Sequence, residues 1–468
     1  MSALVAPAYR AHLVHGVVHL GVGGFHRSHQ AVYLHELFER GVAHDWGVVG
    51  VGTTEHDARL HAALHAQDHL WTVETRTPTG AEHVVVGSHL EHLLLTDPAG
   101  AAAVLDRLVR PTTRWVTLTV TEGGYPVDGP PSPTLAVLVA ALRHRRAAGT
   151  APFAVVSCDN LQHNGQVARA AVVAAAEAAD PADPADPDVA RWIADEVAFP
   201  SSMVDRITPA TTPDDVARIR RATGRDDACP VVAEPFRQWV LEHVPGVPRP
   251  PLEEVGVQVV ADVAPYELLK LRVLNGGHQA LAWAGLLLGH RAVHEAATDP
   301  DVVAFLRRFL HAEVLPTLDP VPGTDPAAYA ETVLARFAQA ELPDTLERLA
   351  AHSADRVPGF VLAAAAGSVV AGRPVPVTAA VVALWWTTLR RAHASGTPTL
   401  VAAPDLAAAG GDGEALDAFL ADPGVLGGLA GDPRFGDEVR AAEALLRSGG
   451  PRGLLRSLTA DDRWRTSP

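Results

Sequence analysis

The sequence predicts two different textures in one chain: an α/β N-terminal domain built on a parallel sheet, and a mostly α-helical C-terminal domain. Three observations carry this. Short β-branched runs alternate with stretches of helical length through the first half, which is the pattern of a parallel sheet covered by helices. A glycine-rich turn joins the first such run to the first helix. After roughly Pro265 the strand signals stop and Ala- and Leu-rich segments take over. At 468 residues the chain also exceeds one ordinary core, so two domains are expected, at 1–262 and 263–468.

The elements follow in order. Val17–Gly21, Val48–Gly52, Trp115–Val120 and Phe153–Ser157 read as buried strands, each followed by polar or Gly-rich residues. Ser28–Arg40 reads as a helix with Ser28 as its cap. Thr72–Thr75 and His83–Val86 suggest a hairpin. Asp180–Asp188 (DPADPADPD) reads as a surface loop, since repeated proline prevents helix continuation. Beyond it the sheet pattern is expected to continue to Val231–Ala233 and Val257–Val260. Helices are expected at Tyr266–Leu288, Asp299–Val314, Pro326–Ala350 and Val377–Ser395.

Composition excludes several classes. The net charge of −16, and the absence of any Lys/Arg run longer than the short cluster of Arg143, Arg145 and Arg146, argue against a nucleic-acid partner, which needs a basic face. No uninterrupted apolar run of about 18 residues is present, which argues against a membrane span. Residues 1–10 lack the charged and apolar regions of a secretory signal, and two cysteines, Cys158 and Cys229, are too few for a disulfide scaffold. A cytoplasmic location is the expectation. Lys270 is the only lysine among 38 basic residues. Arginine keeps its proton in proteins, whereas a buried lysine can lose it, so a lone lysine suggests that the ammonium itself is needed.

Five segments could carry chemistry. Gly21-Val22-Gly23-Gly24-Phe25-His26-Arg27 sits between the first strand and the first helix. In a Rossmann-type βαβ unit the first glycine allows a tight turn and the second admits a dinucleotide pyrophosphate to the helix N-terminus. Gly21, Val22, Gly23, Gly24, Phe25 and Arg27 are thus candidate cofactor contacts, although His26 stands where the third glycine usually falls. Glu55 and Asp57 follow the second strand; a carboxylate there can accept from an adenosine ribose hydroxyl, and Asp57 would favour NAD over NADP. A helix N-terminus also favours acids, and the spacing from the glycines is long. Glu267, Lys270, Asn275 and His278 lie on one expected helix with apolar flanks. At 100° per residue Lys270 and His278 are roughly 80° apart in azimuth. A neutral lysine can take a hydroxyl proton, an asparagine can donate to the alkoxide, and a histidine can hold the oxygen. Asn160, in Ser157–Gly165, stands at the carboxyl end of a strand, where open α/β sheets bind ligands, although Asp, Asn and Gly also form plain turns. Val204-Asp205-Arg206 offers either a structural ion pair or polar lining for a polyhydroxyl compound.

Together these segments resemble the polyol-specific long-chain dehydrogenases, the family of mannitol 2-dehydrogenase and fructuronate reductase, over roughly residues 15–350. The similar stretches are VHLGVGGFHRSHQAVYLHEL (18–37), TLTVTEGGY (117–125), SCDNLQHNG (157–165), FPSSMVDRITPATTP (199–213), AEPFRQWVLE (233–242) and YELLKLRVLNGGHQALA (266–282). The resemblance implies Lys270 as general base, Asn275 and Asn160 as an oxyanion hole, His278 as a substrate ligand, Glu267 on the proton path, and Val204 and Asp205 as substrate contacts. It implies a zinc-independent, NAD-dependent oxidoreductase, often monomeric, that interconverts a polyol and a ketose such as mannitol and fructose or arabinitol and xylulose, with the substrate between the domains. Fructuronate or tagaturonate reduction is the alternative within the family. Two departures bear on the substrate. Gly277 replaces the usual serine of the N-G-S-H segment, and residues 359–372 (GFVLAAAAGSVVAG) are nearly all apolar where relatives place polar contacts. Arg356 and Arg373 are the nearest basic candidates.

Two other classes fit parts of the sequence. His61, His65 and His69, and His290 with His294, have helical spacing that suits zinc, among 23 histidines in all. Neither group carries the companion glutamate of a zinc protease helix, and a solvated helix face explains the spacing as well. A non-catalytic nucleotide or sugar sensor on the same fold would have no need of Lys270.

Overall fold

The computed structural model describes residues 2–178, 188–395 and 412–460. The chain divides into two compact units, Met1–Ala264 and Pro265–Pro468.

The first unit carries seven strands before residue 160: β1 (His15–Leu20), β2 (Gly47–Gly52), β3 (Trp71–Thr77), β4 (Gly80–Val86), β5 (His89–Leu94), β6 (Trp115–Leu118) and β7 (Ala154–Ser157). Four more follow: β8 (Ser202–Asp205), β9 (Val231–Ala233), β10 (Gln238–Glu242) and β11 (Gln258–Val260). The central sheet has the order β5-β2-β1-β6-β7 and is parallel throughout. β1, β2, β6 and β7 are almost wholly buried, because helices cover both faces and a β-branched residue suits either side. One core, around Val18, Leu20, Val49, Val116, Leu118 and Val155, lies on one side of this sheet. The other, around Tyr33, Phe38, Trp46, Trp115 and Trp239, lies opposite.

The expected hairpin is present: β3 and β4 pair antiparallel from Trp71↔Val86 to Thr77↔Gly80. The expectation that the main sheet extends to the later strands is wrong. β9 joins β3 in a three-stranded sheet, and β11 pairs with β10 in another that also contains β8. These strands are only three to five residues long. Such runs give no period from which sheet membership could be read.

The first helix also differs. It is two helices, α1 (Gly24–Ser28) and α2 (Gln30–Glu39), broken at His29 with φ −116° and ψ −90°. Ser28 is therefore not the cap. Its hydroxyl donates to the carbonyl of Phe25 and pairs with Thr208 at 2.7 Å. The imidazole of His29 donates to the carbonyl of Gln238, so a tertiary bond holds the break. The loop expected at Asp180–Asp188 lies outside the described residues except for Asp188.

In the second unit every described regular element is helical. The helix expected at Tyr266–Leu288 is Ala264–Leu269, then a π-helical segment Lys270–Asn275, then Gly276–Leu288. Two further π segments, Phe309–Val314 and Val357–Leu362, neighbour it. Val377–Ser395 forms as expected, starting at Pro376. Its N-terminus is held by buried Glu313, whose carboxylate accepts from the amides of Val377 and Thr378, each at 2.7 Å. The helix expected over Pro326–Ala350 ends at Phe337 and resumes only at Leu346.

Candidate active site

The glycine turn of the first unit is built by close approach. Gly21 has φ +96°, and a Cβ there would stand 2.1 Å from the carbonyl oxygen of Thr119. Only glycine fits both conditions. The amides of Gly21 and Val22 both donate to the carbonyl of Val51, at 2.9 and 3.3 Å, which ties the turn to β2. Gly23 is the N-cap of α1 and offers no side-chain acceptor, so the first amides of that helix are free of a capping side chain. Amide donors at a helix start, reached through a glycine backbone, fit a dinucleotide pyrophosphate. Val22 is buried in the core beneath the turn, and the ring of Phe25 stacks on His29 at 4.8 Å between centroids.

Arg27 has partners within the protein. Its guanidinium turns inward, is almost fully buried, and donates to the carbonyls of Gly23 and Cys229. It braces the turn from behind. Asp57 is engaged as well. One carboxylate oxygen accepts from the amides of Thr53 and Thr54 and from the hydroxyl of Thr54, completing a capping box. The acid therefore has the helix-capping role that its position also suggested, and its Cβ packs where a Gly52 side chain would go. Glu55 is solvent-exposed.

Asn160 is exposed at the end of β7. The residues around it are anchors. Asp159 accepts from the amides of Val120 and Thr121 at 3.0 and 2.9 Å and from the Tyr125 hydroxyl at 2.6 Å. Burial raises the Asp159 pKa, against the pull of these donors. Asn164 donates to the carbonyls of Asp159 and Ser202 and accepts from the Ser202 amide. The segment thus clamps the ends of β6, β7 and β8 together. Reading it as a turn explained Asp159 incompletely; its buried network links residues distant in sequence. Val204 lies in the core and pairs with Trp239 across β8 and β10, and Asp205 is buried beside it. Arg206 donates to the carbonyls of Glu234 and Ser28 and to the Thr75 hydroxyl.

In the second unit Glu267 and Lys270 are buried, while Asn275 and His278 are half-buried. The π segment revises the spacing drawn from an ideal helix. Its i→i+5 bonding widens the turn, so the rotation from Lys270 to His278 is not that of an α-helix. Lys270 and Asn275, five residues apart, instead lie one wide turn apart at its two ends. Such π-bulges often occur at functional sites. His278 is stacked on Phe337, with centroids 4.1 Å apart and planes at 23°. Gly277 faces the same ring: a Cβ there would sit 3.4 Å from Phe337. Arg356 donates to the carbonyls of Arg348 and Leu349, and Arg373 to the hydroxyl of Ser368. Among the described residues no group of three or more His, Cys, Asp or Glu is placed to hold a metal ion. His61 pairs with His92, and His290 with Asp299.

Comparison with known proteins completes the description. Residues 15–254 match the model of the mannitol dehydrogenase Rossmann domain, and residues 262–444 match that of the mannitol dehydrogenase C-terminal domain. The chain is 39% identical to a mannitol 2-dehydrogenase of Cereibacter sphaeroides, covering 98% of this chain and 99% of the relative. Among solved structures it is similar to the Pseudomonas fluorescens mannitol 2-dehydrogenase in ternary complex with NAD and D-mannitol. That match has a TM-score of 0.80 and 35% identity over 97% of this chain and 96% of the other. A substrate-free D-sorbitol dehydrogenase gives a TM-score of 0.83 at 33% identity, over 95% and 96% of the two chains.

Proposed function

The chain belongs to the mannitol dehydrogenase family, and from that premise we propose that it is an NAD-dependent polyol dehydrogenase in which Lys270 is the general base. The observation that carries the assignment is the only lysine of the chain, buried at the first position of a π segment that ends on Asn275.

NAD supplies the hydride acceptor. Gly21 and Val22, tied to Val51, would shape the turn, Gly23 and Gly24 would receive the pyrophosphate through their backbone amides, and Asp57 would lie toward the adenosine ribose. The hydroxyl proton of the substrate passes to Nζ of neutral Lys270, while the hydrogen on the same carbon leaves with its electron pair and a ketone forms. The side-chain amides of Asn275 and Asn160 donate to the oxygen as it gains negative charge. His278, held against Phe337, fixes a substrate hydroxyl. Glu267, one turn before Lys270, passes the proton outward. A lysine base takes the place that a zinc-bound hydroxyl would have, so activity is expected to survive exhaustive chelation.

A neutral polyol is favoured over a hexonate because Arg356 and Arg373 are both engaged by the chain's own oxygens. The test is NADH formation near pH 9 with mannitol, sorbitol, arabinitol, xylitol, mannonate and altronate, repeated with NADP. Turnover of a neutral polyol with NAD supports the reading. Turnover of the two acids alone moves the chain to the hexonate branch, and NADH binding with no turnover of any substrate favours a sensor.

A further inference from the structure

Behind the glycine turn stands a buried histidine that the proposed mechanism does not use. His19, on β1, has no solvent exposure. Its Nδ1 lies 2.8 Å from the hydroxyl of Thr117, and its Nε2 lies 3.0 Å from the hydroxyl of Thr119 and 3.3 Å from the carbonyl oxygen of Gly21. The Thr119 hydroxyl in turn donates to that carbonyl at 2.6 Å.

The donor count fixes the direction of every bond. A carbonyl only accepts, so Nε2 carries the proton. The single hydrogen of Thr119 is spent on Gly21, so its oxygen accepts from Nε2. Nδ1 of the neutral ring then accepts from Thr117. The result is a one-way relay, Thr117 to His19 to Thr119 to Gly21, with each donor and acceptor satisfied. Its terminus is the Gly21–Val22 peptide, whose N–H side is already held by the carbonyl of Val51. Both edges of that peptide plane are thereby fixed. His26, in the first turn of α1, lies flat on His19 with centroids 3.4 Å apart and planes at 13°. Its Nε2 is 2.9 Å from Nε2 of His89 on β5. The relay thus grips the turn through the peptide plane, and the stack grips the helix that follows it.

We propose that His19 is a positioning residue for the dinucleotide: it locks the Gly21–Val22 peptide through Thr119, so that the amides of Gly23, Gly24 and Phe25 are aligned before the pyrophosphate arrives. This rests on the cofactor reading given above. Pre-organised donors cost no ordering on binding, so loss of the lock should appear in affinity.

The experiment uses the full chain and NADH binding followed by fluorescence, alongside steady-state kinetics. H19F keeps a flat ring for His26 but removes both relay bonds; T119V removes one hydroxyl at nearly constant shape; H19Q restores a donor near the Nε2 position. The expected result is a rise of about tenfold in the NADH dissociation constant for H19F and T119V, with partial recovery in H19Q. The loss should be larger in KM for NAD than in kcat, and because Nε2 of His19 and the Thr119 hydroxyl each donate to the Gly21 carbonyl, the H19F/T119V double variant should bind NADH more weakly than either single variant. A wild-type chain that does not bind NADH overturns the cofactor reading and this inference with it. A wild type that binds, with folded H19F and T119V binding within about twofold of it, overturns the inference alone.

Discussion

At the scale of single residues, chemistry and packing impose separable demands. Lys270 is expected to matter for turnover alone. Lys270→Ala should lower kcat by about two to four orders of magnitude, the range of a lost general base, while NADH binding and folding persist. The oxidation rate of the wild type should rise with pH as the lysine deprotonates. A variant with near wild-type kcat, or a flat profile, would remove the base assignment. Gly21 is a packing demand. Gly21→Ala places a methyl 2.1 Å from a backbone oxygen at φ +96°, so the turn must move. The expected outcome is loss of NADH binding together with a lower melting temperature, read by calorimetry. Arg27 shows what sequence alone does not reveal of a side chain. An arginine next to a phosphate-binding turn invites a phosphate contact, but its guanidinium meets the carbonyls of Gly23 and Cys229. Cys229 lies some 200 residues away, and no local pattern announces it.

Elements were legible where period or punctuation is strong. Four of the five parallel strands stood out because each is a β-branched run ending in glycine or polar residues, and Val377–Ser395 because it is long and apolar; β5, His89–Leu94, has no β-branched residue and was missed. The π segment Lys270–Asn275 was not legible, since an inserted residue in a helical ladder leaves the composition unchanged. A Cβ on Gly276 would lie 3.0 Å from the carbonyl oxygen of Phe360, so the segment and its π-helical neighbour touch backbone to side. Gly276→Ala is therefore expected to cost on the order of 1–3 kcal/mol through overpacking. The midpoint of denaturant unfolding should fall accordingly. Because the shift falls beside Asn275, kcat should fall as well. An unchanged midpoint would show that Phe360 yields freely and that the contact does not shape the segment.

At the scale of the whole molecule, the two units respond to acid in opposite ways. In the first unit burial pushes His19, His29 and His92 down to about 3 and His15 to about 4, and holds His26 and His89 well below their ordinary value. These rings are neutral when folded and take protons when unfolded. Their contribution is complete above about pH 6.5 and is lost as pH falls toward 3. At pH 5 a ring held near 3 destabilises the fold by about 2 kcal/mol, taking 1.4 kcal/mol per pH unit. Three or more such rings approach the whole stability of a domain. In the second unit Glu313 is raised to about 7 by burial, so its contribution is fully present in acid and is lost as pH rises through 7. Ion-paired carboxylates there, such as Asp299 at about 2 beside Arg452, lose their contribution only below about pH 4. Between pH 6.5 and 4 the first unit should therefore weaken while the second holds. Hydrogen exchange at pH 5 against pH 7.5, corrected for the intrinsic pH dependence, should show protection falling first in β1, β2, β5 and β6. The amides of Val377–Ser395 should remain protected. Parallel loss in both units would mean that the buried histidines do not govern acid stability.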